Sequence, residues 1–296
     1  MATNSIFREY IGGKSYPDDL NNFPDIINSN LQEFHFILAF ATEDYDKNGK
    51  GTGVFKATWN ERYFRAEKIK QLKEKYEKKS VKVKVIISIG GRLVGRKNVF
   101  DPAEKDVWPD RARNSLRRII DLYNTQVDCS CEAIIDGIDI NYENIKSNNI
   151  DFAHCIGTLI DGLKNKDKVI KDVSIAPSHP TYSHYLNLFR AHKMDIHWVN
   201  YQFYDQFLPS TDDFVELFQQ LSDDYQEDKL LAGFSTDPND KGMLSREVFF
   251  EACTKLIDTG SLHGIFVWNA NDSADADDPF FFEIKAQKLL TGSDSK

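Results

Sequence analysis

Between positions 136 and 143 the chain reads Asp-Gly-Ile-Asp-Ile-Asn-Tyr-Glu, so Asp139, Asn141 and Glu143 recur at every second residue. At that spacing in a β-strand the three side chains share one face, while Ile138, Ile140 and Tyr142 share the other. Carboxyl groups gathered in this way are a common means of moving protons, although spacing alone assigns no role to any one of them. Three polar groups on the inner face of a buried strand are costly unless they are used. The plainer alternative is a hydrogen-bonded polar layer with a structural purpose.

Other elements must place that stretch where a reaction can reach it. Short apolar runs recur at 6–11, 34–40, 81–89, 133–140, 173–176, 196–203, 230–234 and 264–268. Each is bounded by Gly, Pro or polar residues, as expected of strands buried on both faces. Amphipathic stretches at 67–79, 110–123, 152–164, 212–225 and 245–259 lie between them, with a closing one at 280–290. This alternation predicts a single (β/α)8 TIM barrel of the α/β class over residues 1–296. An open doubly wound sheet is the competitor, but no Gly-x-Gly-x-x-Gly follows the first strand. Barrel chemistry sits at the C-terminal ends of the strands, and the 136–143 stretch closes the fourth run. Trp108 and the segment from His179 to His184 read as loops. The basic run from Lys68 to Lys84 is interleaved with Glu and reads as a solvated helix face.

Composition narrows the partners. The 296 residues carry 37 Lys and Arg against 46 Asp and Glu, a net charge of −9, with 41% hydrophobic residues. Such a chain can bury a core, and its acidity argues against nucleic acid as partner. No apolar run approaches the roughly 20 residues that cross a bilayer. The start, Met1-Ala2-Thr3-Asn4-Ser5, lacks the ordered features of a secretory leader, so a cytoplasmic protein is expected, with vacuolar or protein-body storage as the alternative. Cys129, Cys131, Cys155 and Cys253 are expected to be free thiols. The Cys129–Cys131 spacing is too tight for the usual zinc site, and neither a metal nor a cofactor is expected. A monomer is expected as well.

The signature Asp136-Gly-Ile-Asp139-Ile-Asn141-Tyr-Glu143 resembles the Asp-Gly-x-Asp-x-Asp-x-Glu motif of glycoside hydrolase family 18, the chitinases. Ser88-Ile89-Gly90-Gly91, ending the third run, resembles that family's Ser-x-Gly-Gly motif. Ala176-Pro177, Gln202-Phe203-Tyr204 and Trp268 follow in the family's order, so the resemblance spans nearly the whole chain. Within the family, Phe7–Gly12, Gly233–Pro238 and Trp268–Ser273 resemble the narbonin branch, seed proteins of this fold without established hydrolytic activity.

The resemblance implies roles. Glu143 corresponds to the acid that protonates the glycosidic oxygen, after which the substrate's own acetamido oxygen attacks the anomeric carbon. This is the substrate-assisted exception to the two-carboxylate scheme. The carboxylate that orients the acetamide nitrogen and offsets its developing charge is here replaced by Asn141, with Asp139 two residues before it. Tyr204 corresponds to the tyrosine bonded to the acetamido carbonyl, and Trp268 to the floor beneath the reactive sugar. Gln202 and Phe40 join Trp268 in the implied substrate-binding set. Three functions compete: a catalytically silent or severely impaired protein with a storage, stress-related or binding role, a slow endo-chitinase, and a sugar binder that does not cleave. The implied partner is a chitooligosaccharide or another N-acetylglucosamine glycan, with a protein partner as the other possibility.

Overall fold

The computed structural model describes residues 5–13, 20–93, 96–127, 133–240 and 243–292. Eight strands run parallel: β1 (Ile6–Ile11), β2 (Glu33–Tyr45), β3 (Lys82–Gly90), β4 (Gly137–Asn141), β5 (Asp172–Ile175), β6 (Trp198–Asn200), β7 (Leu230–Ser235) and β8 (Gly264–Trp268). Each pairs with its neighbours in chain order, and β8 returns to β1, so the sheet closes on itself. The apolar runs become strands because β-branched and aromatic residues fill both faces. The end of β2 extends past the barrel and pairs antiparallel with Gly51–Ala57.

Helices cover the outside: α1 (Ala66–Glu77), α2 (Trp108–Gln126), α3 (Asn149–Ile160), α4 (Tyr182–His192), α5 (Thr211–Tyr225), α6 (Arg246–Asp258), a short α7 (Ala270–Ala274) and α8 (Phe281–Thr291). The expected (β/α)8 TIM barrel is the observed fold. Most buried apolar side chains fill the layer between sheet and helices. A smaller cluster fills the barrel itself, with Tyr10, Ile37, Phe40, Ile86, Leu231 and Phe266.

Two local expectations need correction. The segment read as a loop from His179 forms a 3-10 turn (His179–Thr181) and then α4. Tyr185, Leu186, Leu188 and Phe189 are its buried face, at the three- and four-residue spacing that marks a helix. Trp108 is no loop residue either; it opens α2, 1% exposed, and donates to Glu43 Oε1 at 2.6 Å. The first β/α unit lacks a helix among the described residues. Phe23, Ile27 and Leu31 cover the sheet instead, fastened to α8 by Asn28 N–H donating to Gln287 Oε1 at 2.8 Å. Cys155 and Cys253 are buried free thiols, whereas Cys129 and Cys131 lie outside the described residues.

Candidate active site

The first two signature residues build the base of β4. Asp136 accepts from Lys73 Nζ of α1 at 2.6 Å and from the Val85 N–H of β3 at 2.7 Å. A Cβ on Gly137 would lie 2.1 Å from the Asp172 carbonyl of β5, so only glycine lets these strands meet.

Further along β4 the alternation holds. Ile138, Ile140 and Tyr142 join the outer core, and Asp139 points into the barrel with no exposure. Its Oδ2 accepts from Tyr10 Oη at 2.9 Å and Ser88 Oγ at 2.7 Å, and its Oδ1 from Ser174 Oγ at 2.6 Å and Asn200 Nδ2 at 3.2 Å. Arg8, equally buried, donates to Asn200 Oδ1 at 2.8 Å and Ser174 Oγ at 2.9 Å. Five strands thus converge on one carboxylate. A buried charge is tolerated when it is paired and fully hydrogen-bonded, and Arg8 with these four donors meets that condition. The Tyr10 hydroxyl is pushed well up by its burial and then by the charge of Asp139. Burial outweighs the attraction of Asp139 at Arg8, whose pKa is lowered. Sequence reading found Asp139 but missed Arg8, Tyr10, Ser174 and Asn200. The available signal was Arg8, a charge amid the apolar run of β1.

Asn141, at the end of β4, is 3% exposed. Gln202 donates from Nε2 both to Asn141 Oδ1 at 3.2 Å and to the Ala176 carbonyl at 3.1 Å. A carbonyl can only accept, so the Gln202 group facing it is the amide nitrogen. The same nitrogen then requires the oxygen of Asn141, and the Asn141 NH2 is turned the other way.

Glu143 is half-buried, two residues beyond the strand. The chain around it is held firmly. Tyr142 N–H donates to Tyr185 Oη of α4 at 2.7 Å, and Tyr142 Oη donates to Glu43 Oε2 at 3.0 Å. Asn144 and Ile145 pair with Val99 and Phe100 immediately after. Burial drives the Glu43 carboxyl above the usual range against the pull of its donors Gly53, Trp108 and Tyr142. The Ser88-Ile-Gly-Gly turn abuts the same place. Gly90 (φ +95°) and Gly91 (φ +71°) are left-handed, and a Cβ on Gly91 would lie 2.4 Å from the Phe40 ring.

Tyr204 and Trp268 are half-buried, at the ends of the sixth and eighth strands. Burial raises the Tyr204 hydroxyl pKa well above its ordinary value, and the nearby charge of Glu143 adds to the effect. Trp268 stacks on Phe40 with centroids 5.6 Å apart and planes at 23°, and meets Tyr10 edge-on at 5.4 Å. Phe40 has no exposure, so it supports the Trp268 ring from below and does not itself line the surface. Of the residues singled out from sequence, Glu143, Tyr204 and Trp268 reach the barrel mouth, Asn141 and Gln202 form a bonded pair beneath, and Asp139 and Phe40 lie deeper.

The profile of the family "Glycosyl hydrolases family 18" matches residues 28–237. "Chitinase 1" of Tulipa saxatilis subsp. bakeri is 38% identical over 303 residues, covering 100% of this chain and 90% of its own. The crystal structure of a family 18 chitinase from Crocus vernus superposes with a TM-score of 0.81 at 34% identity, covering 97% of this chain and 99% of that one. The "RuBisCO-associated protein" of Glycine max is 28% identical over 289 residues, covering 92% of this chain and 93% of its own. A family match over most of the chain, a closed parallel barrel and the signature at the end of β4 agree: the chain belongs to glycosyl hydrolase family 18.

Proposed function

We propose that the protein is a catalytically silent or severely impaired, chitinase-like family member with a storage, stress-related or binding role. The observation that carries this reading is the Gln202–Asn141 hydrogen bond. Substrate-assisted cleavage needs an anionic acceptor at position 141 for the acetamide N–H. Asn141 is neutral, and its oxygen is already engaged by Gln202. A single preorganised electrostatic contact of this kind is worth about 10²–10³ in rate. Asp139 does not replace it, being held by four donors inside the barrel. The soybean relative's name is compatible with a non-hydrolytic role. The free thiols of Cys155 and Cys253 support a reducing, cytoplasmic compartment.

The test is hydrolysis of a fluorogenic chitooligosaccharide by wild type and Glu143→Gln. Background or barely detectable rates are expected for both; wild-type turnover as fast as that of Asn141→Asp, and lost in Glu143→Gln, overturns the proposal. A second reading, a slow endo-chitinase acting on N-acetylglucosamine polymers, is favoured by Glu143, Tyr204 and Trp268 all lining the mouth, and by the 38% identity to a chitinase. Calorimetry with chitotetraose separates a binder that does not cleave from a protein that ignores the glycan.

A further inference from the structure

A second concave region lies apart from the barrel mouth. A cavity of about 270 Å3 opens beyond the end of β7, walled by Phe234 and Phe280 to Phe282 and by the first turn of α6. Thr236 separates it from the cleft. Its N–H donates to the Trp268 carbonyl at 2.6 Å on one side, while Ser273 Oγ donates to Thr236 Oγ1 at 3.1 Å on the other.

At the back of this cavity stands Glu283 of α8, with no exposure. It lies against Glu9, whose side chain leaves the barrel toward α8 and is also fully buried. Beyond the Ser273 hydroxyl beside Glu283 and the contact between the two carboxyls themselves, no N–H or O–H donor of another described residue meets the four oxygens. Two buried carboxyls in contact hold one proton between them, because like charges in a dry site do not both ionise. Burial and the neighbouring Glu283 accordingly push the Glu9 carboxyl well up.

We propose that this cavity binds a small primary amine, an alkylammonium whose charged end meets Glu283, the member of the Glu9–Glu283 pair that lines the cavity, and whose carbon chain lies on the phenylalanine wall. An ammonium brings three donors and no acceptor, matching a carboxyl pair whose oxygens outnumber the donors that reach them. Among the described residues, Asp237, Asp240, Asp278 and Glu283 line the cavity with Arg246 as the cation beside them, a balance that disfavours anions. The aromatic wall already accommodates positive charge: the Arg246 guanidinium and Lys285 Nζ lie 5.3 and 5.8 Å from the Phe281 ring centre. The incoming cation takes the place of the shared proton, so binding releases a proton and strengthens as pH rises. The proposal stands apart from glycan cleavage, since none of these groups faces the barrel mouth.

The experiment is titration calorimetry of the full chain with putrescine at pH 7.5, in phosphate and in Tris, with 1,4-butanediol as the uncharged control. One saturable site is expected, with heats that differ between the buffers by a released proton, and no binding of butanediol. Glu283→Gln is expected to weaken binding at least tenfold. Arg246→Ala, an exposed change that leaves the core intact, is expected to tighten it about threefold by removing the rim cation. Absence of putrescine binding, equal binding of butanediol, or unchanged affinity in both variants overturns the proposal; the last result identifies diffuse attraction to an acidic surface.

Discussion

Gln202 Nε2 lies 3.2 Å from Asn141 Oδ1, and this one bond sets the polarity of the group beneath the barrel mouth. It occupies one of the two lone pairs of the Asn141 oxygen and turns its NH2 away, where a carboxylate would offer two oxygens whatever its rotation. A neutral amide thus stands at the position where the family signature carries a carboxylate.

Asn141→Asp restores the charge without removing the Gln202 donor. Chitooligosaccharide hydrolysis is expected to rise about 10²-fold over wild type, in line with the worth of one preorganised electrostatic contact. A fluorogenic assay at pH 5–7 reads it. An unchanged rate would show that something besides the missing charge blocks the reaction.

In the Asn141→Asp background, Glu143→Gln is expected to return hydrolysis to the wild-type background. Its melting temperature should barely change, because a half-buried residue beyond the strand end contributes little to stability. Retained activity would move the acid elsewhere in the mouth.

Asp139→Ala leaves Tyr10, Ser88, Ser174 and Asn200 without their common acceptor and Arg8 without its counter-charge. Removing one partner of a buried ionic network costs about 3–5 kcal/mol. Urea denaturation should show a loss of that order. A change below about 1 kcal/mol would contradict the account of Asp139 as the hub of the barrel layer.

Tyr185→Phe deprives the buried Tyr142 N–H of its acceptor. The expected cost is about 1–3 kcal/mol, read by denaturation. Amide exchange at Tyr142 should accelerate relative to Ile140, and uniform exchange across both would argue against a local clamp.

The Glu9–Glu283 pair gives stability a pH dependence of known sign. Burial and Glu283 raise the Glu9 carboxyl well above its ordinary 4.5, so from there upward the native state keeps a proton that the unfolded chain has released. The contribution of the pair is fully present below that value and is lost as pH rises toward the folded pKa. Glu283→Gln removes the second ionisable group, and its melting temperature is expected to fall less between pH 6 and 9 than that of wild type. Parallel curves would place the titration elsewhere.

The polar stretch of β4 was legible because strand alternation is local: Asp139 inward and Ile138, Ile140 and Tyr142 outward follow from a period of two. The six helices read from sequence agree with the structure to within a few residues for the same reason. Of the two missed helices, the short α7 and α4, the latter begins after a His-Pro-Thr turn whose composition suggests a loop, yet Tyr185 within it holds the chain beside Glu143. No helix is read from the sequence between β1 and β2, and among the described residues Phe23, Ile27 and Leu31 cover the sheet there without one.

Sequence by itself determined the barrel, the order of its motifs and the exchange of a carboxylate for Asn141. Tertiary structure alone decided what each polar group does. Asp139 is a structural hub because donors from four other strands reach it, and Asn141 faces as it does because Gln202 lies 61 positions away. The Glu9–Glu283 contact joins the first strand to the last helix. The physical reason is that alternation depends on adjacent residues, whereas the charge and direction of a buried group depend on partners that only the closed barrel brings within 3 Å or so.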